Sequence, residues 1–132
     1  MKIGIDIVEI DRIASILAKF DNFPQKILTE QELEVYQDLV TRDRKLAFLA
    51  GRFAAKEAYA KALGTGLGAV VQLKGLSVMN NQAGQPYFAQ APIMQGVALS
   101  ISHERHYAVS SVIINQGDQE LNQALQALQA KK

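Results

Sequence analysis

The sequence predicts an α+β domain, with helices packed on one side of a mostly antiparallel sheet. Three observations predict it. Leu46, Leu49, Ala50 and Phe53 recur at helical spacing within a long segment, residues 42–63, that ends at Gly64. Residues 97–102 and 107–115 are the chain's two stretches richest in β-branched residues, and only a short polar turn separates them. Residues 2–10, Lys-Ile-Gly-Ile-Asp-Ile-Val-Glu-Ile, form a further β-rich run.

At 132 residues the chain is most simply one domain. With 48% hydrophobic and 20% charged residues, it has the make-up of a folded chain, not a disordered one. The net charge of +1 gives no global drive toward nucleic acid or membrane. The absence of cysteine removes disulfides, thiolate metal sites and a Cys nucleophile, and it fits a reducing compartment. Neither a signal peptide nor a membrane-spanning stretch is expected, and cytoplasm is the expected location.

Each element has its own signal. In the first strand Ile3, Ile5 and Ile7 alternate with Gly4 and Asp6, which predicts a buried isoleucine face. Asp6 is then a solvent-facing position, or a ligand whose direction the sheet holds. Residues 11–19 predict a short helix capped by Asp11, with Ile13, Ile16 and Leu17 inward. Residues 20–28 read as a turn into an extended piece. Thr29 and Glu32 have capping-box spacing, so a helix of roughly ten residues follows, with Leu33, Tyr36 and Leu39 or Val40 facing in.

The central helix, about 42–63, is amphipathic and should lie against the sheet. Gly64 offers the left-handed residue that closes it. Gly64-Thr65-Gly66-Leu67-Gly68 follows a helix and lacks Gly-Lys-Ser/Thr, so it is no P-loop, though successive glycine amides suit a small anion nest. Residues 73–79 and a return at Pro86-Tyr87-Phe88 predict a hairpin. The domain is taken as residues 1–115, and residues 116–132 as a glutamine-rich C-terminal helix or tail of it.

Asp6 and Glu57 form the sharpest constellation. Two carboxylates without cysteine suit a hard cation, and Mg2+ takes only one or two of them beside water and phosphates. Spacing does not bring Asp6 to Glu57. Read locally, Glu57 pairs instead with Lys61, four residues on, for about 0.5 kcal/mol on an exposed helix. Lys56 faces about 100° away from Glu57. Arg52 is either a phosphate contact or part of a solvated face. His103 and His106 are the only histidines and read as turn residues.

Ile3-Gly4-Ile5-Asp6-Ile7, followed by Phe53-Ala54-Ala55-Lys56-Glu57-Ala58-Tyr59-Ala60-Lys61-Ala62, resembles the two-part signature of the 4'-phosphopantetheinyl transferases. Chain length and Ser100-Ile101-Ser102-His103 resemble that family's short bacterial branch, over most of residues 1–115. The resemblance implies transfer of 4'-phosphopantetheine from coenzyme A to a serine of apo-acyl carrier protein, in fatty acid synthesis. Adenosine 3',5'-bisphosphate leaves. It implies Mg2+ on Asp6 and Glu57, with Glu57 and Lys61 catalytic. The base that takes the serine proton is left open between Glu57 and water at the metal. Arg52, Lys61, Gly64, Thr65, Gly66 and His103 would bind coenzyme A. Arg12, Ile16, Lys19, Phe23 and Lys26 would dock the carrier protein, although Asp21 and Asn22 dilute the basic patch. A homotrimer with active sites between subunits is also implied. The rivals are a non-catalytic module that docks an acidic carrier protein and a Mg2+-dependent nucleotide hydrolase. Nucleic-acid binding is not expected.

Overall fold

Strand β1 (Lys2–Glu9) opens the chain and sets the geometry of everything packed on it. In this computed structural model residues 1–68 and 70–130 are described. After β1 come helices α1 (Ile10–Lys19), α2 (Phe23–Ile27), α3 (Glu30–Asp38) and α4 (Arg42–Leu63). Strands β2 (Ser77–Asn80), β3 (Pro86–Gln90), β4 (Val97–His103) and β5 (Tyr107–Ile114) follow, then helix α5 (Asp118–Ala130). Two antiparallel sheets result, one ordered β1-β5-β4 and one pairing β2 with β3. The α+β architecture agrees with the sequence prediction.

Helix α4 lies across β1 and β5 on one face of the larger sheet. Its approach is unusually close, because small residues line the seam. A Cβ added at Gly4 would stand 1.9 Å from the Ala58 carbonyl oxygen and 2.7 Å from the Ala62 nitrogen. Gly4 and Val8 therefore face the helix, and so does half-buried Asp6. Strand alternation then forces Ile3, Ile5 and Ile7 to the other face, where they are 63%, 61% and 64% exposed. The predicted buried isoleucine face is thus inverted: glycine, not isoleucine, makes the closer fit to a helix.

The central helix has the predicted span but is not amphipathic. It is buried nearly all round, down to Arg52 and Lys56. Gly64 closes it at φ 78°, in the left-handed region. The capping box at Thr29 forms as predicted. Asp11 is not a cap; the cap position is Glu9, without a side-chain hydrogen bond, because β1 runs straight into α1. Residues 23–27 form a short helix instead of an extended piece, with Pro24 in its first turn, where proline's missing N–H costs nothing. Val40 is 92% exposed, since α3 ends at Asp38. Leu73–Gly75 is a 3₁₀ turn, and the hairpin begins only at Ser77.

Leu121 of α5 joins the core cluster that contains Leu63, Val71 and Ile114, while Ala124 and Leu125 pack against that cluster. Lys131 and Lys132, the end of the expected helix or tail, lie outside the described residues. Among the described residues no helix is long and apolar enough to cross a membrane.

Candidate functional site

The Gly4 contact has a chemical consequence two residues along the strand. It brings α4 close enough for Lys61 Nζ to donate to Asp6 Oδ1 at 2.9 Å and to the Ile5 carbonyl at 3.2 Å. Lys61 therefore pairs across elements, not with Glu57 along its own helix, as local spacing suggested. Glu57 is half-buried beside them. Burial pushes its carboxyl pKa up and the nearby Asp6 charge adds to that, while Lys61 pulls the other way. Asp6, Glu57 and Lys61 thus form one charge cluster at the helix–strand seam. Among the described residues no group of three His, Cys, Asp or Glu side chains converges. A metal here would rest on two carboxylates, which fits Mg2+ completed by water and phosphate oxygens.

The neighbouring Lys56 serves a different purpose. Its ammonium is wholly buried, 2.6 Å from Glu32 Oε1 and 2.7 Å from the Ile27 carbonyl. Burial lowers its pKa and Glu32 opposes the drop. This ion pair ties α4 to α3.

The glycine loop offers less of an anion nest than its composition suggested. The amides of Gly64, Thr65 and Gly68 already donate to the carbonyls of Lys61, Ala60 and Val71. Gly66, at φ 65°, is left-handed, so a side chain there is strained.

A second site lies at the end of the sheet where the β4–β5 turn meets the start of α1 and the first half of α4. A cleft of about 1190 Å³ is lined by Arg42, Arg44, Arg52 and Arg105, by Asp11, Asp43 and Glu104, and by Phe48 and His103, among others. This is larger than the roughly 300–1,000 Å³ typical of small-molecule pockets. Arg52 is only 7% exposed. Its guanidinium lies 4.1 Å from the Phe48 ring centroid and bonds Asn80 Oδ1. Its Nε has no hydrogen-bond partner among the described residues. Burial lowers the pKa of this group to about 10, with Glu32 acting against the drop. A buried guanidinium with one unpaired N–H is suited to an anion's oxygen. His103 is exposed at the end of β4. Its turn is held by Glu104 Oε1, which accepts from the amides of His106 and Tyr107 at 2.7 and 2.9 Å. Sequence reading missed Arg42, Arg44, Phe48 and Arg105; the Arg-x-Arg at the start of α4 was the available signal.

Asp6, Glu57 and Lys61 do not line this cleft. Strands β1 and β4 are the two edges of the three-stranded sheet, roughly 10 Å apart at two strand spacings. One chain therefore carries a carboxylate cluster between β1 and the second half of α4, and a cleft beside the first half of α4.

The expected docking residues share one flank of α1 and continue into α2. Arg12, Lys19 and Lys26 are exposed, while Ile16 and Phe23 are half-buried. The Phe23 ring lies 6.5 Å from that of Phe53. Phe20, which sequence reading passed over, is 57% exposed, with Lys26 Nζ 6.0 Å from its ring centroid.

Comparison with known proteins gives consistent matches. The family model of the 4'-phosphopantetheinyl transferase superfamily matches residues 2–115. A holo-[acyl-carrier-protein] synthase of Anoxybacillus flavithermus is 48% identical over 112 residues, 85% of this chain and 92% of that one. The structure of a holo-(acyl-carrier-protein) synthase from Bacillus anthracis, in complex with CoA (3',5'-ADP), superposes with a TM-score of 0.80 at 43% identity, covering 88% of this chain and 96% of that one. The Helicobacter pylori holo-[acyl-carrier-protein] synthase in complex with coenzyme A gives a TM-score of 0.75 at 29% identity, over 86% and 99% of the two chains.

Proposed function

Since the chain belongs to the 4'-phosphopantetheinyl transferase superfamily, in its holo-[acyl-carrier-protein] synthase branch, we propose that it transfers 4'-phosphopantetheine from coenzyme A to a serine of apo-acyl carrier protein, for fatty acid synthesis in the cytoplasm. The observation that carries this reading is the Asp6–Lys61–Glu57 cluster at the α4–β1 seam. Two carboxylates and one ammonium suit a metal-neutralised diphosphate.

The serine oxygen attacks the β-phosphorus of coenzyme A, and the bond to the α-phosphate side breaks. Adenosine 3',5'-bisphosphate departs with those electrons. Asp6 and Glu57 would hold Mg2+, which when bound neutralises diphosphate charge. Lys61 places a further positive charge at the same oxygens as the transition state develops. Glu57, or water held at the metal, would take the serine proton. Arg52 and His103, with Arg42, Arg44 and Arg105, give the coenzyme's remaining phosphate a basic seat. Gly64, Thr65 and Gly66 would pass beside the pantetheine arm, where glycines let a ligand approach the backbone. Arg12, Ile16, Lys19, Phe23 and Lys26 would dock the acidic carrier, with steering that falls at high salt.

The bare sheet face supports a homotrimer: Ile3, Ile5, Ile7 and Ile113 form an exposed apolar patch. Replacing Ile5 with Asp should convert the trimer to monomers at micromolar concentration, read by sedimentation velocity. An unchanged trimer would show that this face lies outside the interface.

The test of function is intact mass of apo-acyl carrier protein after incubation with the protein, coenzyme A and Mg2+. A gain equal to the phosphopantetheine arm is expected. Asp6→Ala and Glu57→Ala should each slow it about 100-fold, the loss typical of removing one electrostatic stabiliser, and EDTA should stop it. No gain with several carrier proteins would refute the reading.

A further inference from the structure

The carboxylate pair already holds a cation of the chain's own. Lys61 Nζ is fixed by two acceptors, Asp6 Oδ1 at 2.9 Å and the Ile5 carbonyl at 3.2 Å. The Asp6 side chain is 15% exposed and that of Lys61 is 53% exposed. The acid is thus set in the seam, while the lysine stem reaches solvent and is able to swing. Glu57 lies within electrostatic reach of both. In the ligand-free chain, Lys61 partly neutralises the two acids.

A divalent ion arriving at Asp6 would meet an ammonium already bonded to Oδ1 of that carboxylate. Like charges at such short range repel strongly wherever solvent is partly excluded. A diphosphate changes this balance, because a lysine ammonium is a compact point charge on a flexible stem that readily exchanges a carboxylate for phosphate oxygens.

We propose that Lys61 is a displaceable counter-ion: it weakens divalent-metal binding at Asp6 and Glu57 until a diphosphate draws its ammonium away. This rests on reading Asp6 and Glu57 as the metal ligands. Metal and coenzyme then bind with positive coupling, and by linkage each raises the other's affinity by the same factor. The free protein stays largely unmetallated, and the metal enters with the substrate it serves.

The test is Mn2+ binding followed by electron paramagnetic resonance, with and without coenzyme A, on the wild type, Lys61→Met, Lys61→Arg and Lys2→Met. Without coenzyme, Lys61→Met should bind Mn2+ about tenfold more tightly than the wild type, a coupling of ordinary size. Lys61→Arg keeps the charge and should not share the gain of Lys61→Met. Lys2 lies on the same strand but pairs with Asp118 at 3.8 Å, and its removal should change nothing. Coenzyme A should improve Mn2+ binding less in Lys61→Met than in the wild type.

Unchanged Mn2+ affinity in Lys61→Met, beside normal coenzyme-enhanced binding in the wild type, overturns this proposal alone. An equal gain from Lys2→Met also overturns it, because the effect would then be diffuse net charge. Absence of Mn2+ binding in every form, with or without coenzyme, overturns the proposal and the metal-ligand reading together.

Discussion

Replacing Glu32 with alanine should destabilise the protein by about 3–5 kcal/mol, the cost of stripping one partner from a buried ion pair. Both side chains of the Glu32–Lys56 pair are 0% exposed, and their charged atoms are 2.6 Å apart. Glu32 also accepts from the Val78 amide at 2.8 Å and the Thr29 amide at 2.9 Å. One carboxylate thereby joins α3, α4 and β2. Its loss leaves the Lys56 ammonium with only the Ile27 carbonyl, and two amides without acceptors. Burial already presses Lys56 toward its neutral form, and shedding its proton would cap the damage near the upper figure. The measurement is urea unfolding of Glu32→Ala beside Glu32→Leu/Lys56→Met. The double variant should lose less than the single one, since it removes the stranded Lys56 charge and leaves only Arg52 without the Glu32 carboxylate. A single variant within 1 kcal/mol of the wild type would mean the pair is not closed off from water.

Gly4→Ala should cost more than about 3 kcal/mol, beyond the usual range for overpacking by one methyl group. The reason is the nature of the obstacle. The new Cβ would meet the Ala58 carbonyl oxygen at 1.9 Å and the Ala62 nitrogen at 2.7 Å, both backbone atoms inside a helix. No rotamer change relieves that clash, so α4 must move off β1. Backbone strain is not involved, because Gly4 is not among the positive-φ residues. Gly66→Ala gives the contrast: at φ 65° with nothing within 4 Å, it should cost about 1–2 kcal/mol of conformational strain alone. Thermal unfolding of the two variants separates these mechanisms. Gly4→Ala should also lose transferase activity, since moving α4 parts Lys61 from Asp6. A folded, active Gly4→Ala would show that the seam is looser than described.

Local chemistry was legible where a residue's partner lies within one turn. Thr29 and Glu32 form their capping box because the two partners are three residues apart. Gly64 closes α4 because the left-handed position needs no distant contact. Strands β4 and β5 followed from β-branched runs around a short polar turn, which leaves an antiparallel pair as the simple solution. The signature residues Asp6, Glu57 and Lys61 could be named from their pattern, though not placed together by it.

What the sequence by itself determined was the main elements and their order, with α2 the exception, the α+β class and the identity of the charged residues. What only the tertiary structure decided was which side of each element faces which neighbour. Strand alternation says that Ile3, Ile5 and Ile7 share a face; it does not say which face is buried. That choice fell to Gly4, because a missing side chain admits a helix more closely than isoleucine does. The same approach gave Lys61 to Asp6 in place of Glu57. Helical spacing reports angles around one axis. Partners across elements depend on how near two backbones come, and that distance is set by packing of residues far apart in the chain.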